Sequence, residues 1–238
     1  MLAALGFLTP FGPARAPNRA TLRWFPLVGA TTGAVVGLVW WAASKGWHGP
    51  LVPAALAIAA DLVLTGMLHV DGLADSADGL LAHLSRERRL QVMSEPDVGA
   101  FGLAATVAVF LLRFAAFGAI RPDIALVAGF WCVSRSLMVV AMLVLPYARS
   151  TGGLATAFLG GGVAGSALAA SVGVAAGASL AVWAGGTPAA AGVGAAVVAA
   201  TALLWVARRR LGGFTGDVLG AVVVVSETAA LLVSGVRW

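Results

Sequence analysis

Seven apolar runs divide this chain, at about 26–44, 51–68, 101–120, 124–145, 160–184, 188–207 and 218–235. A helix rising about 1.5 Å per residue needs about 20 apolar residues to cross a hydrocarbon core about 30 Å thick, and each run is near that length. Within lipid every backbone N–H and C=O must be paired inside its own segment, which a helix achieves. The pattern therefore predicts an all-α fold, a polytopic transmembrane helical bundle of about seven spans. The fifth and sixth runs are rich in Gly and Ala, which lets helices approach closely. Their low side-chain volume also blurs their ends, and Gly160-Gly161-Gly162 fits a loop as well as a span.

Composition agrees with lipid as the main solvent. The chain is 60% hydrophobic and 11% charged, against about 25% charged residues in a soluble domain. Its 238 residues are used up by the spans and their connections, so one integral membrane domain over 1–238 is expected. The single cysteine, Cys132, lies in an apolar run, which excludes a disulfide framework and a Cys-based metal site. The N-terminal stretch Met1 to Leu8 is apolar, but Arg15, Arg19 and Arg23 follow it rather than precede it. That order is the reverse of a signal peptide. Residues 1–25 are read as a cytoplasmic segment on the membrane surface.

The formal charge of +5 resides in short clusters between apolar runs, as membrane topology requires, and nucleic acid is not an expected partner. With the N-terminus in the cytoplasm, ten basic residues fall inside: Arg15, Arg19, Arg23, Arg86, Arg88, Arg89, Arg149, Arg208, Arg209 and Arg210. Only Lys45, Arg121 and Arg237 fall outside. This positive-inside bias places two polar segments in the cytoplasm, an acidic loop over 69–98 and a Gly-rich turn over 208–217.

The acidic segment opens with His69-Val70-Asp71-Gly72-Leu73-Ala74-Asp75-Ser76-Ala77-Asp78-Gly79. Asp71, Asp75 and Asp78 stand at i, i+4 and i+7, one face of a helix. Carboxylates so close raise one another's pKa unless a cation lies among them. Mg²⁺ takes oxygen ligands, typically one or two carboxylates with substrate phosphate and water. The bland alternative is a solvated acidic helix end, but the small residues Gly72, Ala74, Ser76, Ala77 and Gly79 around the acids let a ligand approach closely. His69, one turn earlier, fits an orienting group, a phosphate contact or a general base, and equally a polar membrane anchor. In the second segment, Gly212-Gly213-Phe214-Thr215-Gly216-Asp217 precedes the last span. Thr215 and Gly216 would present backbone N–H groups suited to phosphate, and Asp217 is either a further ligand or a helix cap.

These residues carry a resemblance. HVDGLADSADGLL, the SRSLMVVAMLVLPYAR stretch from Ser134 to Arg149 with Gly152-Gly153-Leu154 after it, and GGFTGDVLGAVVVVSE from Gly212 to Glu227 resemble the cobalamin synthase family. Phe7-Leu8-Thr9-Pro10 and Val98-Gly99-Ala100-Phe101-Gly102 extend the likeness nearly end to end, while Ser94-Glu95-Pro96-Asp97 departs from the family pattern. The resemblance implies an adenosylcobinamide-GDP ribazoletransferase of the bacterial cytoplasmic membrane. Its substrates would be adenosylcobinamide-GDP and α-ribazole or its 5′-phosphate, with Mg²⁺ as cofactor and GMP released. Metal binding is assigned to Asp71, Asp75, Asp78 and Asp217, with His69 or one of the acids taking the proton of the attacking hydroxyl. Arg149 is the candidate phosphate contact, with a positive-inside anchor as the alternative.

Four charges lie within spans: Asp61, Arg113, Arg135 and Glu227. Each falls roughly 12–18 Å from its helix end at about 1.5 Å per residue, where an isolated charge is costly. Their sum is zero, and a balanced network between the second, third, fourth and seventh helices is expected. As the floor of a cleft, that network would put Arg135 and Glu227 among the substrate-binding residues. As a packing device, it would only fix the helices. Two other functions compete. A CDP-alcohol phosphotransferase carries Asp-Gly-x-x-Ala-Arg, where this chain has Asp75 after Ala74. A transporter would need an internal repeat, and none is evident. Membrane lipid is an expected partner, and a homo-oligomer is left open.

Overall fold

A computed structural model of the protein describes residues 1–13, 15–149, 152–160 and 162–236. Nine α-helices are present there: α1 Leu2–Leu8, α2 Phe25–Gly46, α3 Leu51–Thr65, α4 Leu68–Leu81, α5 Arg86–Val92, α6 Ala100–Ala119, α7 Ile124–Val144, α8 Ala164–Leu211 and α9 Gly216–Ser234. Short 3₁₀ turns precede α2 and α8. Among the described residues the only strand-like pairing is an isolated bridge between Tyr147 and Phe214. The protein is an all-helical integral membrane bundle.

Five helices are long and apolar enough to cross a membrane, and the bent pair α3–α4 makes a sixth candidate. The 48 residues of α8 would reach about 72 Å if straight, more than twice a bilayer core. The helix instead breaks at Gly186 (φ 63°, ψ −147°), with Pro188 just beyond. Ala170 near its start and Ala207 and Leu211 near its end join one apolar cluster with Leu8 and Phe214. Ala181, Ala189 and Ala196 join the other, with Val36 and Trp40. The chain thus runs to the far end of the bundle and returns, and α8 provides two spans. Counting both, and the bent pair α3–α4 as one, the candidate crossings number seven, in line with the apolar runs. Arg237, assigned to the outside by charge, lies outside the described residues, as does Gly161 of the glycine run.

Helix α7 is the central element, packed by α2, α8 and α9. Glycine makes this possible where backbones meet. A methyl group on Gly129 of α7 would lie 2.6 Å from the Gly177 carbonyl oxygen of α8. Helix α7 starts with Asp123, whose carboxylate accepts the Leu126 N–H at 2.9 Å, the usual N-cap arrangement.

The four intramembrane charges do converge. Arg113 of α6 donates to Asp61 of α3 at 2.8 Å and to Glu227 of α9 at 2.6 Å. Arg135 of α7 pairs with the same Glu227. Trp131 Nε1 donates to the remaining Asp61 oxygen and Ser134 Oγ to the Glu227 oxygen that Arg135 also meets, both at 2.9 Å. Every acid oxygen has a donor, which is the condition for tolerating charge in a low-dielectric interior.

The stretch 69–98, expected as a cytoplasmic connection whose aspartates share a helix face, holds most of α4 and all of α5, and α4 is a new helix rather than a continuation of α3. Gly66 (φ 56°) and Met67 (φ 60°) are both left-handed, so the α3 ladder closes on Leu62 and Val63. Helix α4 then starts anew at 91° to α3 and packs against α6 and α9. Periodicity carries through the acidic run, but it cannot show the two left-handed residues ahead of it.

Candidate active site

Two close approaches build the site. Helix α4 crosses the start of α9 at Gly72, where a methyl group would stand 2.7 Å from the Asp217 carbonyl oxygen. At Gly220 a methyl would be 3.2 Å from the His69 Cα. Separately, the segment before Arg149 pairs with the glycine turn: Ala148 N–H donates to Phe214 C=O at 2.8 Å and Phe214 N–H to Pro146 C=O at 3.0 Å. This short ladder carries Arg149 to Asp217, and its Nη2 donates to Asp217 Oδ2 at 2.9 Å.

The result is a cavity of about 260 Å³ at this end of the bundle, lined by His69, Asp71, Arg149, Gly216 and Asp217 among others. Five of the sequence-predicted residues, from three distant stretches, share one wall. Thr215 is fully buried behind them. Its hydroxyl accepts the Val218 N–H at 3.2 Å and donates to Asp217 Oδ2 at 3.2 Å. It is therefore the N-cap of α9, leaving Asp217 in the first helical turn. The N-terminus of α9 and the Arg149 guanidinium face the same space, an arrangement suited to phosphate oxygens. Arg149 also holds α5 in place, through Ser94 Oγ and the Met93 carbonyl.

The three acids of α4 have separate environments. Asp71 is exposed into the cavity. Asp75 is half-buried behind it, and its carboxyl is pushed up to about 7 by burial and then by Asp217, Asp71 and Asp78, with Arg149 opposing. Asp78 turns away and is buried, accepting the Gly99 N–H at 2.8 Å and the Gly102 N–H at 2.9 Å. It caps the start of α6. His69 is 3% exposed, and neither ring nitrogen has a hydrogen-bond partner. Arg135 and Glu227 do not line the cavity; each is engaged by the other in the membrane network.

Two lining residues escaped sequence reasoning. Tyr147, the only tyrosine of the chain, donates to the Gly152 carbonyl at 2.9 Å and packs edge-on against Phe214. Phe7 of α1 stacks on Phe25 and meets Phe158 edge-on. Both stand in stretches that carry the family resemblance, but nothing in the sequence shows that α1 folds under the bundle to reach the site.

Fold and site together define a class: an integral membrane protein with an acidic, phosphate-suited cavity at one end of its bundle. A family model for cobalamin-5-phosphate synthase matches residues 1–235. Adenosylcobinamide-GDP ribazoletransferase of Leptothrix cholodnii is 40% identical over 226 residues, covering 90% of this chain and 83% of the relative. The protein of that name from Chlorobaculum tepidum is 36% identical over 250 aligned positions, covering 100% and 97%. The Escherichia coli one is 34% identical over 215, covering 87% and 84%. No solved structure matches. The chain belongs to the cobalamin-5-phosphate synthase family, and is a transferase of cobalamin synthesis. The transporter and CDP-alcohol readings fall away with that membership.

Proposed function

We propose that the protein transfers the adenosylcobinamide phosphoryl group from adenosylcobinamide-GDP to α-ribazole or its 5′-phosphate, yielding adenosylcobalamin or its phosphate and GMP. The observation that carries this reading is the single cavity where Asp71, Asp217, Arg149 and the α9 N-terminus meet. Phosphoryl transfer asks mainly for positioning and for charge neutralisation, and these groups offer both. Arg149 and the α9 amides would hold diphosphate oxygens. The acceptor's ribose hydroxyl attacks the phosphorus joined to the cobinamide. A P–O bond forms there, the P–O bond to GMP breaks, and the hydroxyl proton passes to a base. That base would be His69, which lines the cavity with its ring nitrogens buried and without partners, or one of the neighbouring acids.

The donor set suits Mg²⁺. Among the described residues no three His, Cys, Asp or Glu side chains form a ready-made metal cluster, but Mg²⁺ is commonly held by one or two carboxylates with phosphate and water. Asp71 and Asp217 would hold it, and the strained charge of Asp75 beside them is what a cation relieves. Asp78, occupied by two N–H groups, is better read as a positioning residue. Bound there, the ion would neutralise charge developing on the transferring phosphoryl group. The bias of ten basic residues against three supports a site facing the cytoplasm, in the bacterial cytoplasmic membrane.

The test is to incubate the purified protein with adenosylcobinamide-GDP, α-ribazole and Mg²⁺. Corrinoid product and GMP should appear together and vanish with EDTA. Asp71→Asn should lose at least a hundredfold in turnover while inserting normally. Full activity in EDTA would overturn the metal assignment, and GMP release without corrinoid product would overturn the transfer.

A further inference from the structure

Away from the cavity, the start of α2 and the first half of α8 leave a groove of about 350 Å³ between them. Leu27 and Ala30 form one wall, Val172 and Ala176 the other, and Cys132 of α7 lies at the floor. Leu27 and Val172 are exposed, so the groove opens sideways to the surrounding bilayer. At its end is a second depression of about 420 Å³, containing Arg19 and Ser166, and Arg23 borders both.

The two arginines are the unusual feature. Among the described residues neither joins an ion pair, and no acidic side chain lines either depression. Arg23 lies over the Trp24 ring at 5.6 Å. Arg19 gives one N–H to the Gly160 carbonyl at 3.3 Å, while its Nε is buried with no partner. An apolar slot alone selects nothing in a membrane, because an acyl chain leaves lipid as apolar as the slot. Two uncompensated guanidiniums at the slot's polar end do select. They match a phosphodiester, which accepts hydrogen bonds from arginine and carries the opposite charge.

We propose that this composite groove binds one anionic phospholipid. Its phosphate lies at Arg19 and Arg23, and one acyl chain follows α8 from Ala169 to Leu180, about 16 Å at the helical rise, over Cys132. A second copy of this chain fits less well, because a dimer seam here would bring four arginines together with no acid to meet them.

Native mass spectrometry of the full-length protein released from lipid nanodiscs tests this. One phosphatidylglycerol per chain should be retained, and phosphatidylcholine should not. The double variant Arg19→Gln/Arg23→Gln should retain phosphatidylglycerol roughly thirtyfold more weakly, since each basic side chain near an anionic surface contributes about fivefold. Ala176→Phe, which fills the slot from an exposed helix face, should also release the lipid while leaving the protein folded. A phosphatidylglycerol bearing a photoreactive acyl chain should label α2 and residues 169–180. Equal retention of both lipids, retention unchanged in both variants, labelling elsewhere, or a lipid-free dimer held through this face would each overturn the proposal. Inorganic phosphate at millimolar levels should not displace the lipid, and displacement would show a free-anion site instead.

Discussion

Asp75 carries the least comfortable charge at the site, and its discomfort is measurable. Its carboxyl stands near 7 rather than 3.8, so between those values the folded protein holds a proton that the unfolded chain has released. Stability therefore falls as pH rises through that window and levels off above it. In the absence of divalent cations the melting temperature should decline from about pH 5 to pH 7.5. Mg²⁺ should restore it at the upper end, and Asp75→Asn should flatten the profile. A decline that survives in Asp75→Asn would place its origin elsewhere. Arg113 sits at the opposite extreme, fully committed to Asp61, Glu227, Thr228 and the Val224 carbonyl. Arg113→Met leaves two buried acids sharing one arginine, and should cost about 3–5 kcal/mol, the usual penalty for breaking a buried pair. Denaturant unfolding in detergent would read it, and a loss under 1 kcal/mol would mean that water reaches the network.

Among the elements, α4 decides the geometry of the site, and its glycines and its last aspartate have separate tasks. Gly72 and Gly220 let α4 touch α9; Asp78 ties its far end to α6. Asp78→Ala should therefore lose about 1–2 kcal/mol of stability, as removal of a helix cap does, along with part of the turnover. Asp71→Asn should keep the stability and lose the turnover. If Asp78→Ala keeps its melting temperature yet loses all activity, then Asp78 reaches the reacting groups in the working enzyme. The i, i+4, i+7 spacing made the three acids equivalent on a helical wheel. Only the neighbours of α4 separate them, Asp71 facing a cavity, Asp75 packed half-under, Asp78 bound to an amide pair.

For the molecule as a whole, orientation is the property that charge placement predicts most directly. In a Cys132→Ala background, Ser85→Cys should react with an impermeant thiol reagent only from the cytoplasmic side, and His48→Cys only from the opposite side. The reverse pattern would invert the topology. The same bundle shows why the site gathers at one end. Helix α8 goes out and back, the break after α3 sets α4 against α6 and α9, and α1 brings Phe7 to the cavity. Loops carry Arg149 and Tyr147, but the two-residue ladder to Phe214 fixes where they point.

By itself the sequence determined the bundle, its seven crossings and its charge asymmetry, because lipid imposes length, apolarity and internal backbone pairing on each segment separately. It also singled out His69, Asp71, Arg149 and Asp217, which stand in motifs that carry the family resemblance and which the fold brings to one cavity. Pairing of the four intramembrane charges was legible too, because an unpaired charge at that depth is too costly to keep. What only the tertiary structure decided is which groups face which. The left-handed pair Gly66 and Met67, the diversion of Asp78 to α6, the exclusion of Arg135 and Glu227 from the cavity, and the arrival of Phe7 and Tyr147 all depend on contacts between segments far apart in the chain. No local pattern records such contacts, and their energies appear only once the helices are packed.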